Sequence, residues 1–214
     1  MRNNILFVLL SFLSFLSFYS CHASKERLRG SKTQQEEYIF SSKDAKQYYK
    51  TTSDSLEYIC CNMDSLPMAV FVPDDQLCTS IKENEFDIKS EEEISYYTIR
   101  TLVYGCIVCK VIIYSYTGES DIDFLNIQIN SYKNNKLIDK LLLDSRFTSE
   151  IMYYNDFTIT KDFMITLYKY SKSLFEIDEN GDIIGEAVNP KIQKDTVRYH
   201  LNRSGLFLRE NQNR

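Results

Sequence analysis

From Ile94 onward, apolar and polar residues alternate in short bursts set off by turn-forming residues. Residues 97–100, 102–116, 123–131 and 136–143 read as consecutive strands. Leu125 to Asn130 alternates strictly, the two-residue period of a sheet with one face in water. Lys133-Asn134-Asn135 supplies a turn, and the pattern then recurs three times. Residues 157–160 and 163–170 flank a two-residue loop at Lys161-Asp162; residues 174–178 and 182–184 flank Glu179-Asn180-Gly181; residues 196–201 and 206–209 flank 202–205. Asn180-Gly181 is the strongest hairpin signal, because Asn-Gly tolerates positive φ at both central positions. Strands spaced roughly ten residues apart and joined by short polar turns predict an antiparallel meander rather than βαβ winding.

Upstream the pattern changes. Tyr38, Ala45, Tyr48, Tyr49, Leu56 and Ile59 fall near helical spacing, Ser42 is a candidate N-cap and Asp44 sits in the first turn. These features predict a helix over residues 42–60, interrupted at Thr51-Thr52-Ser53. The proline-bounded run 67–73 reads as an edge strand or extended segment. Residues 75–81 allow a short helix, and Glu91-Glu92-Glu93 reads as a solvated turn. The expected fold is therefore α+β and mainly β: a meander of seven to nine strands over residues 94–210. A helical or mixed portion, residues 38–93, is expected to pack on it as one domain.

The first twenty-one residues follow other rules. Arg2 is a short basic start, residues 5–18 are apolar apart from serines, and Ser20 precedes Cys21. That is the layout of a secretory signal peptide over residues 1–20. Its apolar run is too short to span about 30 Å of hydrocarbon comfortably. Ser20-Cys21 resembles the lipobox of bacterial lipoproteins. The resemblance implies that Cys21 is acylated and becomes the mature N-terminus, with residues 21–37 as a polar tether. It also implies a place in the cell envelope, at the outer membrane. The hairpin phrases in 132–139 and 175–181 are similar to those in C-terminal halves of small bacterial lipoproteins of unknown function. This second resemblance covers about residues 121–209 and implies a fold and a location, without any catalytic or binding residue.

Composition narrows the chemistry. Sixteen tyrosines and thirteen phenylalanines, with three prolines and no tryptophan, favour strands. The formal charge of −5, with no basic stripe, argues against nucleic acid as a partner. Beyond Cys21 the cysteines are Cys60, Cys61, Cys78, Cys106 and Cys109, an odd number that leaves one thiol over after two disulfides. Cys106 and Cys109 have C-x-x-C spacing but fall in an expected strand, where i and i+3 face opposite ways, and no second ligand pair completes a metal site. The stretch 178–182 offers oxygen donors at alternate positions, yet Ile183 stands where a calcium loop needs glycine and Asn189 where it needs glutamate. Asp74-Asp75 and Asp121-Ile122-Asp123 read as turn carboxylates.

The only histidines are His22, beside the expected anchor, and His200, in an expected strand, so a triad would have to use His200. Tyr96, Tyr97, Tyr104, Tyr114, Tyr116, Tyr132, Tyr153, Tyr154, Tyr168, Tyr170 and Tyr199 divide between core packing and a binding face. These observations lead to an expectation of a lipid-anchored, non-enzymatic binding or structural protein. It would have no catalytic residues, metal or cofactor, and an envelope or toxin protein as possible partner. The alternatives are an immunity lipoprotein that neutralises a toxin and a hydrolase acting on envelope polymers.

Overall fold

The computed structural model describes residues 37–52, 58–68, 80–84, 94–118 and 121–210, with backbone alone for 51, 52 and 58–60. It opens with strand β1 (Tyr38–Ser41), a four-residue helix α1 (Ser42–Ala45) and a 3-10 turn (Lys46–Tyr48). A small hairpin follows, made of β2 (Tyr49–Thr52) and β3 (Tyr58–Cys61). The meander then runs through β4 (Tyr97–Tyr104), β5 (Ile107–Thr117), β6 (Asp123–Lys133), β7 (Lys136–Thr148), β8 (Ile151–Thr160) and β9 (Met164–Ser173). After a side ribbon, β10 (Phe175–Ile177) and β11 (Ile183–Glu186), it closes with β12 (Ile192–Leu201) and β13 (Phe207–Arg209). The main sheet has the order β13-β12-β9-β8-β7-β6-β5-β4, and β1 joins it along β8. Its named strands pair antiparallel throughout. The meander is the architecture that the alternating pattern predicts.

The helix expected over 42–60 ends at Tyr48. From Tyr49 the chain is extended, with Tyr49 opposite Cys61 and Thr52 opposite Tyr58. Thr51 and Thr52 are β-branched and lose χ1 freedom in a helix. The pairing partner lies across a loop, which local spacing cannot reveal. The single strand expected over 102–116 is two strands. Gly105, at φ +59, and Cys106 form a two-residue turn between Tyr104 and its partner Ile107. Glycine in the first central position is the requirement of a type II′ hairpin. A turn is expected at Lys133-Asn134-Asn135, and Asn134 and Asn135, at φ 51 and 60, give it type I′ geometry.

The loop after β8 is longer than expected. Phe163 N–H donates to Thr160 O (3.0 Å), and Phe163 itself is left-handed at φ 59, a position usually given to glycine. Its side chain is 2% exposed and its ring centroid lies 5.0 Å from that of Tyr104. Burying a phenylalanine contributes about 2 kcal/mol, enough to offset a backbone cost of about 1 kcal/mol. The core contact of Phe163 thus offsets the left-handed backbone at this turn.

Ile107, Val111, Ile113, Leu125, Ile127 and Ile129 from one face of β5 and β6 meet Phe157, Ile159, Ile165, Leu167, Val197, Leu201 and Phe207 in one core. The reverse face carries a second cluster of Tyr96, Ile112, Tyr114, Tyr116, Phe124 and Phe147. The alternation along β6 predicts a wet face, yet Asn126, Gln128 and Asn130 are 1%, 1% and 0% exposed. They form a relay. Asn126 Nδ2 donates to Tyr114 Oη (3.2 Å), which donates to Gln128 Oε1 (2.9 Å). Gln128 Nε2 donates to Asn130 Oδ1 (2.8 Å), and Asn130 Nδ2 to Tyr132 Oη (3.3 Å). Alternation marks the polar face of a strand; whether that face meets water depends on what packs over it.

One strand edge is completed by side chains. β8 pairs with β7 only at Met152 and Tyr153, and with β1 only from Thr158. Between them, Asn155 N–H donates to Asp144 Oδ1 (2.7 Å) and Asn155 O accepts from Arg146 Nη2 (3.2 Å). Phe157 N–H donates to Ser42 Oγ (2.6 Å). Asp144 and Arg146 are buried and paired to each other, Nε to Oδ2 at 2.5 Å. Burial pushes the Asp144 carboxyl up to about 6, against the pull of Arg146 and the Asn155 amide.

Candidate binding cavity

The residue that organises the site stands outside every predicted strand. Residues 80–84 run beside β7, with Lys82 bridged in parallel to Leu141. Lys82 N–H donates to Lys140 O (3.2 Å) and Leu142 N–H donates to Lys82 O (2.9 Å). Lys82 Nζ donates to Phe207 O (2.7 Å) and to the Asp139 carboxylate, which in turn accepts Phe207 N–H (2.8 Å). This short rail therefore ties β7 to β13. Glu83 follows at φ 63, a left-handed conformation uncommon outside glycine, asparagine and aspartate.

The Glu83 side chain is 7% exposed and its carboxylate is well supplied with donors. Lys169 Nζ lies 2.7 Å away, the Tyr199 hydroxyl donates to it, and Arg209 Nη1 is at 3.7 Å. Burial raises the carboxyl, but the hydrogen bonds from Lys169 and Tyr199 and the nearby positive charges outweigh it, leaving Glu83 below the usual carboxylate range. The Tyr199 hydroxyl is pushed up, first by burial and then by Glu83. Near neutrality Glu83 is ionised and Tyr199 protonated, so this cluster holds its charges rather than exchanging protons.

Above it lies a cavity of about 240 Å³, lined among the described residues by β7, β8, β9, β12 and Glu83. One wall is aromatic: Phe147 and Tyr153 stack with centroids 4.8 Å apart and planes at 19°. The Asn155 and Gln193 amides and the Ser145 and Ser171 hydroxyls supply polar lining. The remaining charges are engaged. Lys194 Nζ lies over the Tyr168 and Tyr170 rings at 4.8 and 5.4 Å, and Asp195 Oδ1 accepts Thr196 N–H (2.7 Å).

Of the residues singled out from sequence, Tyr153 and Tyr170 line the cavity and Tyr199 donates to Glu83, while the candidate catalytic, metal and cysteine positions lie elsewhere. Cys21, His22, Cys78, Asp74-Asp75 and Glu91-Glu92-Glu93 are outside the described residues, as are most of 67–73 and 75–81 and the Cys60 side chain. His200 is half-buried in β12, between the buried Tyr199 and Leu201, and lines neither described cavity. The C-x-x-C pair does not share one strand as expected. Cys106 is exposed in the β4–β5 turn, while Cys109 is buried in β5 with its thiol pushed up to about 12 by burial. A thiol so shifted is a poor nucleophile and a poor metal ligand. Asp178 is occupied by its own turn, Oδ1 accepting Asn180 N–H (2.8 Å) and Asp182 N–H (2.9 Å). Glu83 was hidden because residues 74–89 show no periodicity and its partners come from β9, β12 and β13. Comparison with protein-family models, characterised proteins and solved structures finds no match to this chain.

Proposed function

We propose that this chain is a lipid-anchored cell-envelope protein with a non-enzymatic binding role, and that its ligand is a polar, uncharged saccharide held in the cavity. The observation that carries the reading is the division of labour in the lining. The charged groups are engaged within the protein, while amides and hydroxyls stand beside a stacked aromatic wall. Rings with neutral donors and acceptors suit the apolar faces and hydroxyls of a sugar. A hydrolase needs an acid and a base free to exchange protons with its substrate, and Glu83 is committed to Lys169 and Tyr199. The anchor rests on Arg2, the apolar run 5–18, Ser20-Cys21 and the polar residues after it.

Two measurements test the two halves. Cys21→Ser should move the protein from the membrane to the soluble fraction, or leave an unprocessed precursor. Normal processing with retention on membranes through a salt wash would remove the anchor from the proposal. Calorimetry of the full-length protein against a panel of neutral oligosaccharides should find a binder that Gln193→Ala weakens about tenfold, the worth of one good hydrogen bond. A panel without binders would remove the ligand class.

A further inference from the structure

A second concavity shares Tyr170 and Lys194 with the first and carries a surplus of positive charge. It is a groove of about 400 Å³ between the β1–α1 segment and these strands. Lys43 and Lys46 enter it from the helical segment, and Lys194 from β12; Tyr38, Tyr168 and Tyr170 also line it. Lys43 and Lys46 are three residues apart, so they stand side by side on one helical face. None of the three lysines takes part in an ion pair among the described residues. The carboxylate in the lining, Asp156, lies 3.5 Å from Arg146 Nη2. Lys194 is held by tyrosine faces instead of an acid. Such an exposed contact contributes about 0.5–1 kcal/mol, weak enough for an incoming anion to redirect the ammonium. In a chain of formal charge −5, three lysines around one groove, none of them paired with an acid among the described residues, are a local reversal of sign.

The geometry points to a second binding site, one that takes a saccharide chain bearing carboxylates, of the uronate type. The lysines would meet the carboxylates, and the tyrosine rings and hydroxyls would meet the sugar faces and hydroxyl groups. A peptide fits less well. The groove floor is the face of β8, β9 and β12, and β9, at its centre, is paired with β8 on one side and with β12 on the other. The centre of the floor therefore presents side chains and lacks the free backbone row that an added peptide strand would need. A nucleic acid would carry its charge past the groove and onto an acidic protein surface.

The test uses fluorescently labelled oligogalacturonate and the purified full-length protein in detergent, followed by anisotropy. The expected result is saturable binding that weakens as salt rises. It should fall at least tenfold in Lys194→Ala and in the double variant Lys43→Ala, Lys46→Ala. Tyr168→Ala should weaken binding and Tyr168→Phe should restore most of it, a readout that lost charge alone would not produce. Gln193→Ala, in the other cavity, should bind the probe as the unaltered protein does; loss there would move the site and overturn the assignment. Binding that survives the lysine substitutions would also overturn it. So would equal binding of the methyl-esterified probe, or equal displacement by polyglutamate, inorganic phosphate or a single-stranded oligonucleotide. An absence of binding would do the same.

Discussion

Two hairpins in this chain share a turn and differ in almost everything else. At 178–181 and 202–205 the glycine N–H donates to the carbonyl three residues back, at 3.1 and 3.0 Å, and both glycines sit at φ +92. In both, the opening side chain accepts two backbone N–H groups, two and four residues on: Asp178 from Asn180 and Asp182, Asn202 from Ser204 and Leu206. Yet β10–β11 is a two-stranded ribbon off the main sheet with Ile184 65% exposed, whereas β12–β13 ends the main sheet with Phe207 buried. A Cβ at Gly181 would meet nothing within 4 Å. At Gly205 it would meet Ile138 Cγ2 at 3.2 Å and Ile107 Cδ1 at 3.4 Å, and Gly205 O accepts a hydrogen bond from Ser131 Oγ (2.5 Å). Turn chemistry specifies that a hairpin forms; the residues flanking it specify where it docks.

The largest expected effect is at Gly205. Gly205→Val combines a positive φ that β-branched residues resist with overpacking against Ile138 and Ile107, and should cost about 3 kcal/mol. A urea midpoint close to that of the unaltered protein would show that the docking of β12–β13 does not depend on this close approach. Phe163→Gly tests a third turn of the same kind, the one with an aromatic ring in the glycine position. It relieves about 1 kcal/mol of backbone cost and forfeits about 2–3 kcal/mol of burial. A net loss of 1–2 kcal/mol by chemical denaturation is expected, and a gain would mean that strain dominates.

Gly181→Val, with room for its side chain, should cost about 1 kcal/mol. The loss should appear as roughly fivefold weaker exchange protection in β10–β11, with little change in the global midpoint. A global loss as large as that at Gly205 would erase the distinction between the hairpins.

Acid separates the two regions more gently. Glu83 has a folded pKa below its unfolded value, so its contribution is present above about pH 4.3 and is lost as pH falls through the folded value. Glu83→Gln should therefore be less stable at pH 6 but lose less stability than the unaltered protein between pH 6 and pH 3. Parallel losses in urea midpoints would detach Glu83 from the acid response.

The strands from β4 to β13 were legible because each carries its own alternation and most turns carry their own chemistry, as at Asn134-Asn135 and Asn180-Gly181. Even there the prediction was incomplete. Only Gly181, not Asn180, takes positive φ in the ribbon turn, and the Gly105 turn was concealed inside one long apolar run. β2 and β3 were not legible, because their extended form depends on each other across a loop. Of the cavity, only Tyr153 and Tyr170 were legible, as tyrosines weighed for a binding face. Asn155, Lys169 and Gln193 read as ordinary strand residues, and only the adjacency of β8, β9 and β12 brings them together.

The side-chain seal at Asn155 and Phe157 bears on self-association. A stretch of strand edge with unpaired N–H and C=O groups is a template onto which a second chain can add, the first step towards ordered aggregation. Here the sheet divides, with β7 leaving β8 before β1 arrives, and the opening is filled by Asp144, Arg146 and Ser42 instead of by backbone. A buried ion pair is a poor source of stability, but in this position it blocks a rival partner. The sheet can thus bend away from itself at β8 without offering the exposed edge to a neighbouring molecule.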